Sequence, residues 1–192
     1  FGLYNSQILP GLQGVGLLSA DEVAARQINF QAGEGNFVTI RDENLTNIAP
    51  FLTNPPFNLP PELANIFGQI RQANSNDLIT LTSSSVIGSV AGQIEFMGTP
   101  VPLINGVTVP LGDEFVLVPQ EQTEITQAQI AYNATIEALA NQNGLAFVNV
   151  DAILAEVSST GIPFNGGVLT TTFGTGGAFS LDGVHLTPRG YA

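Results

Sequence analysis

The run Gln120–Asn143 constrains the fold more than any other part of this chain. Ile125, Ala128, Tyr132, Ile136 and Leu139 recur at steps of three or four, which places them on one helical face. Gly144 follows as the stop, because glycine accepts the left-handed backbone that ends a helix. Ala146-Phe147-Val148-Asn149-Val150 then reads as a short apolar strand, and Asp151 as the cap of a second helix, Ala152 to about Ser158. Strand and helix in alternation suit an α/β fold with a parallel sheet.

Upstream the signals are shorter. Ser19-Ala20-Asp21-Glu22 has the spacing of a capping box and opens a helix through about Gln27. Phe37–Ile40 predicts a brief strand. Ala49–Pro61 holds five prolines and predicts a loop. Ile66–Gln72 is expected to be helical. Leu78–Thr82 is β-branched and apolar, so a strand is expected there, and Phe115–Val118 predicts another. Asn105-Gly106 joins Pro-Leu-Ile to Val-Thr-Val and predicts a type I′ hairpin, whose two central residues both need positive φ. The region of about 30–118 is more irregular than residues 119–192 and reads as an insertion on the α/β core. The segment 119–192 carries the helix–strand–helix.

Composition excludes several classes. Hydrophobic residues are 44% and charged residues 10%, too apolar and too sparsely charged for a disordered chain. No apolar run reaches the roughly 18 residues a transmembrane helix needs. Cysteine is absent, which removes disulfides, thiolate metal sites and a thiol nucleophile together. The net charge is −12, and the four basic residues are all arginines. A surface this negative repels phosphate backbones, so nucleic acid is not an expected partner, and anionic membranes are disfavoured for the same reason.

The chemistry concentrates near the end. His185 is the single histidine of the chain. Asp182 precedes it by three residues, Gly183 lies between them, and Leu186-Thr187-Pro188-Arg189-Gly190-Tyr191-Ala192 reads as a helix start, with Thr187 able to cap and Pro188 suited to the first helical position. A hydrolytic serine needs a neutral imidazole to take its proton. The imidazole in turn needs a carboxylate to fix its tautomer and stabilise the imidazolium that forms. In a turn, residues three apart bring such a pair together, and glycine frees the backbone to make that turn. A metal site is not expected: the histidine is alone, cysteine is absent and the acids are scattered without EF-hand spacing.

Asp182-Gly183-Val184-His185-Leu186-Thr187-Pro188-Arg189-Gly190-Tyr191 resembles the last sequence block of the SGNH (GDSL-type) serine hydrolases, a superfamily of esterases and lipases. That block is Asp-x-x-His, followed by a helix start and Gly-Tyr or Gly-His, and the match runs over ten residues. The preceding long helix, then Gly-Leu-Ala-Phe-Val-Asn-Val and Asp-Ala-Ile-Leu, is similar to the last sheet strand and following helix of that fold. Asn36–Ile40 and Ile70–Ala73 resemble a bacterial subgroup with a long insertion before the final block. The resemblance implies a three-layer α/β/α, flavodoxin-like fold, incomplete here. It implies that residues 1–192 are the C-terminal part of one hydrolase domain, cut at both ends.

The family carries its serine in a Gly-Asp-Ser-Leu block near the N-terminus, with a glycine and an asparagine from two later blocks helping to bind the oxyanion. This sequence contains neither Gly-Asp-Ser nor a Gly-x-Ser-x-Gly elbow. Asn74-Ser75-Asn76-Asp77 is superficially similar to the asparagine block Gly-x-Asn-Asp, but it starts with Asn and a strand follows it rather than precedes it. Ser83, Ser84 and Ser85 read as a polar loop, so no nucleophile is assigned in this fragment.

The resemblance therefore implies ester hydrolysis by acyl transfer, with His185 as base and then acid, Asp182 as its orienting partner, and a serine from elsewhere in the polypeptide. It implies no cofactor. The implied substrate is a small-molecule, lipid or carbohydrate ester. Oligomeric state is open. Enzymes of this resemblance are often exported, to the periplasm, the outer membrane or the medium. The 192 residues alone are expected to be inactive and to fold poorly, because strand 146–150 would lack its main neighbour. The rival reading is a non-catalytic exported module binding carbohydrate or protein, built on the Asn105-Gly106 hairpin and the Pro/Gly-rich middle. A surface-adhesion protein is a third reading, and the absence of repeats speaks against it.

Overall fold

In the computed structural model, residues 1–96 and 98–191 are described; Ala192, the last residue of the expected C-terminal helix start, lies outside them. The chain is mixed helix and strand, arranged as two compact units, Phe1–Thr126 and Gln127–Ala192. Among the described residues no helix is long and apolar enough to cross a membrane.

The first unit opens on a stretch with no counterpart among the expected elements. A π-helical turn, Tyr4–Ile8, runs into helix α1 (Leu9–Gly14), where Pro10 sits in the first turn. Ser19 then caps α2 (Ala20–Ala25) by accepting the Glu22 N–H at 3.1 Å. The capping box is only half formed. Glu22 turns its carboxylate to Arg26 and to the Thr46 N–H instead of reaching back to the Ser19 N–H. The strand expected at 37–40 is β1 (Thr39–Arg41).

The proline-rich stretch 49–61 is not all loop: Ala49–Leu52 forms a short helix, α3, because Pro50 falls in its first turn and needs no N–H there. Pro61 likewise starts α4 (Pro61–Phe67). The helix expected over 66–72 therefore ends where it was expected to begin, and β2 (Ile70–Gln72) follows, paired antiparallel with β1. The expected strand 78–82 is cut to β3 (Leu78–Ile79), and Leu81–Ser85 becomes a 3₁₀ turn.

Strands β4 (Val90–Phe96) and β5 (Thr99–Ile104) pair antiparallel with each other. Pro100 and Pro102 lack the N–H for a further ladder, which suits β5 to an edge. This pairing displaces the expected hairpin at Asn105-Gly106. Only Gly106 takes a positive φ there (76°), and residues 107–109 fold back on the Ile104 carbonyl in place of a second strand. The strand expected at 115–118 is β6 (Val116–Leu117), antiparallel to β3.

Two apolar clusters hold this unit. In one, Tyr4, Ile8 and Leu9 pack with Ile48, Leu52, Leu63 and Ile70. In the other, Ile40, Leu111 and Val116 meet. The unit spans Phe1–Thr126, and the first helical turns supply part of its core. Arg71 lies buried between two acids: Nε donates to Asp42 at 2.6 Å, and both terminal nitrogens donate to Asp77 at 2.7 and 2.6 Å. Such a fork-to-carboxylate arrangement is among the stronger polar contacts. Burial would lower the Arg71 pKa, but the hydrogen bonds to Asp77 and Asp42 outweigh it and hold it above its usual value.

Helix α5 (Pro119–Gln142) is the long helix the spacing predicts, and the division between the units falls within it. Its apolar face is not buried. Ile125, Tyr132, Ile136 and Leu139 are all exposed, and only Ala140 is buried. The strand expected at 146–150 does not form. A strand needs a partner to satisfy its N–H and C=O groups, and among the described residues this segment has none.

Helix α6 (Val150–Ser159) begins at the end of that segment, and its cap is Asn149, accepting the Ala152 N–H at 3.0 Å, rather than Asp151. Asp151 sits in the first turn, where the helix dipole favours a negative charge, and accepts the amides of Gln129 and Asn133. Strands β7 (Ile162–Phe164) and β8 (Gly167–Leu169) form a hairpin across Asn165-Gly166, both with positive φ (46° and 79°). The favoured Asn-Gly turn pair therefore operates at 165–166, not at 105–106.

All four ladders among the described residues are antiparallel, each in a two-stranded sheet. Parallel contacts are limited to isolated bridges such as Ile40 with Leu111.

Candidate active site

Asp182 and His185 lie on a tight loop whose two sides are tied together. Phe179 and Leu186 form an antiparallel bridge, and the Ser180 N–H donates to the His185 carbonyl at 2.8 Å. Inside that clamp the Gly183 N–H donates to the Ser180 carbonyl at 3.0 Å. Gly183 takes φ 72°, a conformation costly for residues with a Cβ. Below the loop, Thr187 Oγ1 accepts the Gly190 N–H at 3.1 Å and the Thr187 carbonyl accepts the Tyr191 N–H. Thr187 thus caps a single turn through Pro188, as its position predicts.

The carboxylate of Asp182 divides its work. Oδ1 accepts the N–H groups of Val184 and His185 at 2.9 and 3.0 Å and the Ser180 hydroxyl at 2.5 Å. Oδ2 lies 2.8 Å from Nδ1 of His185. An Asx-turn role and an imidazole-partner role are filled together by its two oxygens. The Ser180 hydroxyl, then the Val184 N–H and then the ring and N–H of His185 hold the Asp182 carboxyl well below the usual carboxylate range. With Nδ1 engaged, Nε2 is the nitrogen left to exchange a proton with an outside hydroxyl. Among the described residues no group bonds it.

The pair is open to solvent, with side chains 74% exposed for His185 and 52% for Asp182. A polar contact so exposed contributes little to stability. The loop supplies an oriented imidazole, while the cavities described lie elsewhere. The largest, about 640 Å³, is an open groove between the end of α5 and residues 145–151, lined by Ile136, Leu139, Phe147 and Val148 among others. Among the described residues no three acidic or imidazole groups gather to hold a metal ion.

The other segments singled out by sequence take local roles. Asn74–Asp77 forms a turn in which Asp77 accepts the Asn74 N–H and the Arg71 guanidinium. Each of Ser83, Ser84 and Ser85 donates its hydroxyl to the carbonyl three residues back. Ser180 is the residue that sequence reasoning missed. The signal was available, since a serine two residues before an aspartate in a tight loop is placed to donate to it.

No protein-family model matches the chain, and neither do any curated proteins or solved structures.

Proposed function

We propose that this chain supplies the acid–base half of a serine-dependent ester hydrolase of the SGNH type, with His185 as general base and then general acid and Asp182 as its orienting carboxylate. The observation that carries the reading is the 2.8 Å contact between Asp182 Oδ2 and His185 Nδ1 in a loop that leaves the ring exposed. The carboxylate sets the tautomer with the proton on Nδ1. Nε2 then accepts the serine proton as the hydroxyl attacks the ester carbonyl, and returns it to the leaving alcohol. Water repeats the cycle on the acyl-enzyme.

The serine, the oxyanion donors and the walls of the acyl pocket come, in this reading, from another part of the polypeptide. The exposed side chains of Ile136, Leu139 and Val148 and the unpaired segment 146–150 support it, because they suit a face that packs against further α/β structure. That missing structure would complete the three-layer fold. The binding-module alternative drew on the Asn105-Gly106 hairpin, and that turn does not join two strands.

A fluorophosphonate probe on the full-length protein tests the assignment. Covalent labelling at a serine, abolished in His185→Ala, is the expected result. A protein that shows no labelling and no ester turnover overturns it.

A further inference from the structure

We propose that Ser180 is a positioning residue for the Asp182–His185 pair, its hydroxyl fixing the carboxylate plane so that the oxygen not engaged by the loop faces the imidazole. The inference rests on the hydrolase reading above. Oδ1 of Asp182 takes three donors and Oδ2 faces one, Nδ1 of His185. Two of the three Oδ1 donors are backbone N–H groups of Val184 and His185, which any side chains would preserve. Only the Ser180 hydroxyl, at 2.5 Å, is written into the sequence as a side chain.

Ser180 can aim that hydroxyl because its own backbone is pinned. Its N–H donates to the His185 carbonyl at 2.8 Å, and its carbonyl accepts the Gly183 N–H at 3.0 Å. The Val184 and His185 N–H groups come from the chain that follows Asp182, and the Ser180 hydroxyl comes from the chain that precedes it, so Oδ1 is held from both sides of the sequence. Hydrogen bonds to charged groups are worth more than those between neutral groups. The titratable group facing Asp182 among the described residues is His185. Ser180 touches neither the ring nor a reacting atom, so it acts through Asp182.

The experiment uses the full-length protein, p-nitrophenyl butyrate as ester, and the variants Ser180→Ala, Ser180→Val, Ser180→Thr and His185→Ala. Ser180→Ala and Ser180→Val should lower kcat by roughly tenfold or more, with KM within about twofold of the parent. Ser180→Thr keeps the hydroxyl and should stay within about threefold of the parent. The Nδ1–H proton resonance of His185 should shift or broaden in the alanine and valine variants and persist in the threonine variant. Thr and Val have nearly the same shape, so that pair gives the same reading if the alanine variant does not fold.

A parental kcat in Ser180→Ala, with turnover abolished in His185→Ala, overturns the positioning role and leaves the hydrolase reading standing. Failure of Ser180→Thr to restore kcat also overturns the positioning role. If His185→Ala turns over ester normally, the hydrolase reading falls and the resonance decides. An unchanged Nδ1–H signal in Ser180→Ala then overturns the placement of the carboxylate, and a displaced one upholds it.

Discussion

Asp182 binds its own loop with one carboxylate oxygen and His185 with the other: Oδ1 receives the Val184 and His185 N–H groups at 2.9 and 3.0 Å, and Oδ2 stands 2.8 Å from Nδ1. One side chain therefore shapes the turn and orients the ring. Removing it should cost both, while removing the ring should cost only the proton transfer.

On the proposed hydrolase reading, His185→Ala in the full-length protein should lower kcat by roughly 10³–10⁶-fold, by analogy with other serine triads. The loop should keep its form, because apart from the Oδ2–Nδ1 contact its hydrogen bonds to residue 185 use backbone atoms. Activity within about tenfold of the parent would sink the assignment.

Asp182→Asn keeps an acceptor for the loop but places an amide N–H₂ toward the ring, which selects the wrong tautomer. On the proposed hydrolase reading, a fall in kcat of about 10³–10⁴-fold is expected with little change in unfolding temperature. Steady-state kinetics beside a thermal melt separates the two effects.

Gly183→Ala should destabilise by about 1–2 kcal/mol, since its φ of 72° forces a Cβ into the left-handed region. Gly183→Asn should be milder, because Asn tolerates that region better. Urea midpoints rank the two, and equal midpoints for Gly, Asn and Ala would contradict the backbone argument.

Asp77→Ala should cost about 3–5 kcal/mol, because it leaves the buried Arg71 guanidinium with only Asp42. Asp182→Ala, at an exposed pair, should change the urea midpoint far less. Denaturation of both variants side by side checks the contrast.

Glu22 supplies a pH dependence. Burial would raise its pKa, but the hydrogen bonds from Arg26 and Thr46 prevail and hold it below the ordinary value. A carboxyl with a depressed folded pKa stabilises fully above its unfolded value of about 4.3 and loses that contribution as pH falls through the folded pKa. Glu22→Gln should therefore flatten the stability curve below about pH 5. Urea midpoints measured from neutral to acidic pH provide the check, and a curve with unchanged slope would refute the coupling.

Local signals were legible where neighbours in sequence make the contact. The Ser19 cap, α5, the Thr187 turn and the Asp182–His185 pair all depend on residues within four positions or on one helical period. Asn105-Gly106 and Asn165-Gly166 have the same turn chemistry, but only the second is flanked by segments that pair with each other. Residues 99–104 had a better partner in β4, so the first turn joined nothing. The segment 146–150 is apolar enough for a strand, yet apolarity does not supply the partner that a ladder requires.

The sequence by itself determined where the imidazole and its carboxylate would meet, because three residues and a glycine bring them within one turn of chain. It also determined the long helix and its apolar face, through a period that any helix must share. Tertiary structure alone decided which strands pair, that Tyr4 and Ile8 share a core with Ile48 and Ile70, and that Arg71 is buried between Asp42 and Asp77. Those outcomes depend on competition among partners distant in the chain, and the free energy that settles it comes from burial and pairing that no short stretch contains.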